Sequence, residues 1–228
     1  MLPQMSADFA SLQLQLVDRF VELGLGSYSD GVHRLTNFQR RLGRGQPTDP
    51  ASNRVWIDLL TQLQLRHSHG ARVDAIMNLF ELLPPAVPEH IVHDWPTVGA
   101  FSIEKSGTMA RTHFFAMDTD DESPLHPEKL AERKRELHAV LSIARASNPE
   151  LTHVVGGSWL YSTRSYAGLF PPAHVHSAVV RRNRETFRGM SHWGQFLDHR
   201  WQVRVDRADT FRERVQAWRG GIRAACSR

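Results

Sequence analysis

The chain has a single cysteine, Cys226, in 228 residues. That count excludes an internal disulfide and a cysteine-rich zinc site, and a reducing cytoplasm is the simplest setting. No run of about 18 apolar residues occurs, so no transmembrane helix is expected. The first residues lack a basic stretch followed by an apolar core, so no secretory signal is expected. Lysine is nearly missing, with Lys105, Lys129 and Lys134 the only three among 28 basic residues. No internal repeat or low-complexity run is present.

What remains is the composition of a globular protein, 41% hydrophobic and 23% charged. The formal charge of +4 is unevenly spread. From Ala178 onward twelve arginines face five acids, which puts that segment at +7 and the rest at −3. Such a face suits an anion: nucleic acid, a phosphorylated cofactor or an acidic partner. Because arginine replaces lysine along the whole chain, a solvated helical surface explains it more simply, and nucleic acid is not the favoured partner.

The first ninety residues read as helices. Ser6 caps a helix carrying Phe9, Leu12, Leu16, Phe20 and Leu23 at helical spacing. A second spans Ser29 to Leu42 on Val32, Leu35, Phe38 and Leu42, a third Asp49 to Arg66, and a fourth Ala71 to Leu83. Arg40-Arg41-Leu42-Gly43-Arg44-Gly45 has the R-x-x-G-x-G form of an acetyl-CoA pyrophosphate loop. It lacks the strand before and the helix directly after, and reads as a helix C-terminus.

Strand character begins near Pro96. Val98–Ile103 and Ala110–Met117 flank a Ser106-Gly107 turn, the pattern of a hairpin. Pro127 starts a helix with Leu130, Leu137, Leu141 and Ile143 on its apolar side, stopped by Asn148-Pro149. Thr152–Val155 is β-branched and reads as a central strand. Gly156-Gly157 interrupts it, and Ser158-Trp159-Leu160-Tyr161 continues it by alternation. Ser162 and Thr163 are N-cap candidates for a short helix bearing Arg164 and Tyr166. A further strand is expected at Ala178–Arg182. Met190, Trp193, Phe196 and Leu197 point inward from a following helix, and Phe211, Val215 and Trp218 from a last one. The fold class is α+β: a helical N-terminal region followed by a mixed β-sheet covered by helices. Residues 1–87 and 88–228 form the two parts, either separate or on one shared core.

The densest chemistry lies between His153 and His176, at the carboxyl end of a strand, where α/β sheets place ligands. The expected catalytic residues are His113, Ser158 and Tyr161. His113 sits on a strand face with Arg111 and Phe115 and suits a general base near neutral pH. The expected substrate-binding residues are Arg111, Trp159, Arg164, Tyr166, Trp193 and Gln195. A G-x-S-x-G elbow is absent around Ser158, which argues against a serine hydrolase there. Among 13 histidines, His67/His69 and His174/His176 have metal-compatible H-x-H spacing, and His90, His93 and Asp94 form a looser group. Asp118 and Asp120-Asp121-Glu122 form an acidic loop that reads as solvated.

The stretch Ser123-Pro124-Leu125-His126-Pro127-Glu128 opening a long helix, the strand carrying Ser158-Trp159-Leu160, the short helix, and Leu169-Phe170-Pro171-Pro172 before a further strand occupy about a quarter of the chain. Together they resemble the C-terminal half of GNAT-like (N-acetyltransferase-like) acyltransferases. The resemblance implies a GNAT-like α/β layer and an acyl-transfer pocket. In it Ser158 and Tyr161 orient or protonate a leaving group and His113 accepts a proton from an amine. A cytoplasmic acyltransferase-like enzyme acting on a small molecule is the expectation, with acyl-CoA as the cofactor the resemblance implies. The alternatives are a histidine-liganded metalloenzyme and a non-enzymatic binding protein using the arginine-rich C-terminal face.

Overall fold

The computed structural model describes residues 5–42, 54–82, 94–115, 122–179 and 187–219. They contain ten α-helices and one four-stranded mixed sheet, the α+β class expected. The chain divides into two compact units, residues 1–87 with 181–228 and residues 88–180. No helix among the described residues is long and apolar enough to cross a membrane.

The first unit is helical. Helix α1 (Ala7–Glu22) starts where the Ser6 hydroxyl accepts the Phe9 amide, and it buries Phe9, Leu12, Leu16 and Phe20 as its periodicity requires. The expected second helix is two. Helix α2 (Tyr28–Leu35) ends at Thr36, whose backbone is extended and whose hydroxyl returns to the Val32 carbonyl. The Asn37 amide is taken by the Gln13 side chain at 2.8 Å, and α3 (Phe38–Arg41) follows. Helices α4 (Arg54–Leu65) and α5 (His69–Leu82) complete the N-terminal part.

The C-terminal helices belong to this same unit, not to the sheet part to which a division at 87/88 assigns them. Trp193, Phe196, Leu197, Phe211, Val215 and Trp218 share one core with Phe9, Leu12 and Phe20. Helix α9 (Met190–Gly194) carries Trp193, and α10 (Val205–Ala217) packs along α1. The Phe187 amide donates to the Arg34 carbonyl at 2.7 Å, and Arg19 holds the Trp218 carbonyl at 2.8 Å. A long-range core of this kind cannot be read from local periodicity, which says which face is apolar but not what covers it.

The second unit is built on the sheet β1 (Thr97–Val98), β2 (Phe101–Ser106), β3 (Met109–Phe114) and β4 (His153–Gly156), in that spatial order. The expected strand at Val98–Ile103 is broken by the Gly99-Ala100 turn into β1 and β2. Gly99 has φ +52°, and a Cβ there would overlap the Glu136 carboxylate. That carboxylate accepts the Ala100 amide at 3.1 Å and is gripped by Arg133 at 2.6 Å.

β3 and β4 are parallel, so a crossover is required, and α6 (Leu130–Ser147), preceded by the 3₁₀ turn Pro127–Lys129, supplies it. Leu137, Val140 and Ala144 of α6 are buried in one cluster with Phe101, Ile103 and Ala110. Ile143, expected on the apolar side, is exposed. β4 is an edge strand among the described residues rather than a central one, and all four of its residues are exposed. The expected strand at Ala178–Arg182 lies outside the described residues from Val180 on.

Candidate functional site

The ladder stops at Gly156, and Trp159–Ser162 forms a 3₁₀ turn instead of continuing as a strand. The alternation expected for Ser158 to Tyr161 therefore does not apply. Ser158 caps that turn, its hydroxyl accepting the Leu160 amide at 3.2 Å. Thr163 then caps α7 (Arg164–Ala167), and Pro172 opens α8 (Pro172–His176). These short turns fold the segment back over the end of β4.

The fold-back brings Tyr161 above Gly156. A Cβ at Gly156 would overlap the Tyr161 hydroxyl and lie 3.0 Å from the Thr112 hydroxyl, so only glycine admits this approach. The Tyr161 hydroxyl lies 3.1 Å from His174 Nε2. Around the pair, Tyr161 meets Tyr166 edge-on at 5.1 Å, Tyr166 packs on Phe114 at 5.4 Å, and His174 stacks on Phe170 at 4.8 Å. Burial pushes the Tyr161 and Tyr166 phenols up and His174 down. Burial thus disfavours both charged forms, and in the Nδ1–H tautomer of His174 the Tyr161 hydroxyl donates to Nε2. Tyr161 and His174 are half-buried, while Gly156 and Gly157 are exposed, so the pair stands beside an open backbone shelf.

The register decides which expected residues can join this pair. Thr112 is opposite Gly156 and Ile103, whereas His113 is opposite Ser102 and Arg111 opposite Glu104 and Val155. Successive residues point to opposite faces. Thr112, Tyr161 and Tyr166 thus share the helix-covered face, and His113 projects from the other one. There His113 Nε2 lies 3.0 Å from the Glu104 carboxylate and the ring stacks on Trp95 at 4.7 Å. The expected joint pocket of His113 with Ser158 and Tyr161 is therefore divided by the sheet itself. Arg111 starts on the His113 face, 3.8 Å from Glu104, yet its guanidinium ends 3.8 Å from the Cβ position of Gly157, at the sheet edge.

Trp159 is half-buried in the 3₁₀ turn, and Arg164 is exposed. Arg164 lines a shallow groove of ≈ 430 Å³ between α6 and α7, with Lys134, Leu130 and Leu169. Its two cations suit an anionic group. Trp193 and Gln195 lie in the helical unit instead. Trp193 is fully buried there and donates its indole N–H to the Phe187 carbonyl at 2.7 Å and the Leu35 carbonyl at 3.1 Å, which makes it core. Gln195 donates to the His192 carbonyl at 2.8 Å.

Among the described residues, neither H-x-H pair gathers a third ligand. His174 and His176 sit on a helix, not a strand, and His174 is engaged by Tyr161. His67 is exposed while His69 faces Asp18. His90, His93 and Asp118 to Asp121 lie outside the described residues. A different group assembles where the chain enters α6. Glu122, His126 and Glu128 bring one donor atom each within 4.8 Å of one another. His126 Nδ1 is shielded from solvent and has no hydrogen-bond partner among the described residues, 4.0 Å from Glu122. By pattern alone Glu122 belongs to the acidic loop and His126-Pro127 to a helix start. The E-x₃-H-x-E spacing was the available signal. Comparison with protein-family models, curated proteins and solved structures finds no match for the chain.

Proposed function

We propose that the chain is a small-molecule enzyme of the acyltransferase-like kind, working in the cytoplasm, with proton transfer carried by Tyr161 and His174 at the end of β4. The observation that supports this reading is the 3.1 Å contact from the Tyr161 hydroxyl to His174 Nε2 beside the exposed Gly156-Gly157 backbone. A nucleophilic amine or alcohol placed on that shelf passes its proton to the Tyr161 oxygen as the phenolic proton moves to Nε2. His174 is then the net base, and its lowered pKa keeps it neutral and ready at pH 7. Arg111, Arg164 and Lys134 supply positive charge for the anionic part of an acyl donor such as acyl-CoA. In this assignment Ser158 holds the turn that positions Tyr161, and His113 takes no part.

The test is acetyl-CoA with a panel of small amines, read by thermal shift and by thiol release. The expected outcome is a raised Tm and measurable release, with Tyr161→Phe and His174→Gln each lowering turnover by about 10²-fold or more while the shift persists. Absence of both shift and release would remove the reading.

The Glu122, His126 and Glu128 group supports a second reading, a metal-dependent enzyme, because the three donor atoms converge and the His126 nitrogen is desolvated with no partner among the described residues. Elemental analysis of the purified protein separates the two. Stoichiometric zinc or manganese, lost in His126→Ala, favours the metal.

A further inference from the structure

The helical unit holds a second polar constellation. Ser11 and Asp18 are seven residues apart on α1, two turns along one face. His69, the first residue of α5, lies between them. Its Nδ1 is 2.6 Å from Asp18 Oδ2, and its Nε2 is 2.8 Å from the Ser11 hydroxyl. An ionised carboxylate only accepts, so Nδ1 carries a proton; in the neutral ring Nε2 then presents its lone pair to the Ser11 hydroxyl. The second Asp18 oxygen takes Arg72 at 2.8 Å. Arg72 is itself fixed by the Arg66 carbonyl at 2.9 Å and lies over the Tyr28 ring at 4.1 Å. The carboxylate is thus held at both oxygens, and it sets the tautomer and orientation of the ring.

Two observations separate this from an ordinary surface network. Hydroxyls inside other helices of the chain return to the carbonyl four residues back, as Thr61, Ser142 and Thr210 do. Ser11, interior to its helix, is paired with an imidazole nitrogen instead. The site is also reachable, because Ser11 is half-buried and the His69 side chain is 34% exposed. Next to His69, a Cβ on Gly70 would meet nothing within 4 Å, so open space adjoins the base.

We infer that Ser11 is a nucleophilic serine, with His69 as its general base and Asp18 as the group that orients and stabilises the imidazolium. Its substrates are small activated acyl compounds, esters or thioesters. Ser11 Oγ bonds to the acyl carbon as its proton passes to His69 Nε2. The C–O or C–S bond then breaks and His69 returns the proton to the leaving group. Water, deprotonated by His69, cleaves the acyl-serine and releases the carboxylic acid. The constellation lies in the other unit from Tyr161, so the two assignments stand or fall separately.

The full chain is treated with a fluorophosphonate probe, and the adduct is located by peptide mass spectrometry. p-Nitrophenyl acetate hydrolysis is followed in parallel. The expected result is one adduct on Ser11, absent in Ser11→Ala. The labelling rate should fall about 10²-fold or more in His69→Gln, with circular dichroism showing that the variant is folded. An unlabelled Ser11 in the wild-type chain overturns the inference without recourse to any variant. So does labelling of Ser11 that is unchanged in His69→Gln, or hydrolysis that persists in full in Ser11→Ala.

Discussion

His69 and His174 each face a hydroxyl at about hydrogen-bond distance, 2.8 Å to Ser11 and 3.1 Å to Tyr161, but they are supported differently. His69 has a carboxylate behind it, itself fixed by Arg72, and every partner stands on α1 or α5. His174 has Phe170 stacked against it and burial that disfavours its charge. The first arrangement stabilises an imidazolium once formed. The second keeps the imidazole neutral and suits a base that passes its proton on. Residue type alone does not distinguish these roles; what lies on the second ring nitrogen does.

The broadest way to break the comparison is to damage one corner's support and leave the other chemically intact. Trp193→Ala empties a fully buried site in the helical core and should lower unfolding free energy by about 4 kcal/mol, read from urea unfolding by circular dichroism. A loss under about 1 kcal/mol would mean that the indole is not core. On the sheet side, Gly156→Ala drives a methyl into the Tyr161 hydroxyl. It should cost about 2 kcal/mol and displace Tyr161, which near-ultraviolet circular dichroism would register. An unchanged spectrum and midpoint would contradict the close approach.

A smaller effect is expected from Asp18→Asn. It removes the ionic half of two contacts at a carboxylate only 23% exposed, and about 1 kcal/mol should be lost. Ser11 reactivity should fall much more than stability does, and a parallel fall would mark the network as structural only. The smallest effect is that of pH. The folded pKa of His174 lies below its unfolded value, so the unfolded chain takes up the proton first. Stability is therefore full above about pH 6.5 and declines as pH falls below it. His33, also lowered by burial and next by Arg188, adds a term of the same sign. His174→Gln should flatten part of this slope in urea midpoints measured from pH 7.5 to 5.5, and an unaltered slope would show that His174 is not shielded.

Much of the fold was legible because it is written in local periodicity. α1, α6 and α10 lie where apolar spacing puts them, and the hairpin of β2 and β3 turns at Ser106-Gly107. The 3₁₀ turn at Trp159–Ser162 was read as strand because a four-residue alternation fits either geometry, and only the loss of ladder partners after Gly156 decides it. His113 was joined to Tyr161 because sequence pattern gives faces within one strand but not the register that relates one strand to the next. The Ser11–His69 contact spans 58 residues and has no local motif. Its one trace was Ser11 and Asp18 seven residues apart, two turns along one face of α1.

Among the described residues, β4 joins the sheet through a parallel pairing with β3 alone, across the whole stretch that contains α6. The hairpin of β2 and β3 closes locally and quickly, whereas this pairing has to wait for the crossover to fold and bears its loop-closure entropy. The Tyr161 corner is therefore the last part of its unit to be assembled and the first to open. Amide exchange should be fastest in that sheet at Val154 to Gly156, and a ligand held there would reveal itself by slowing it.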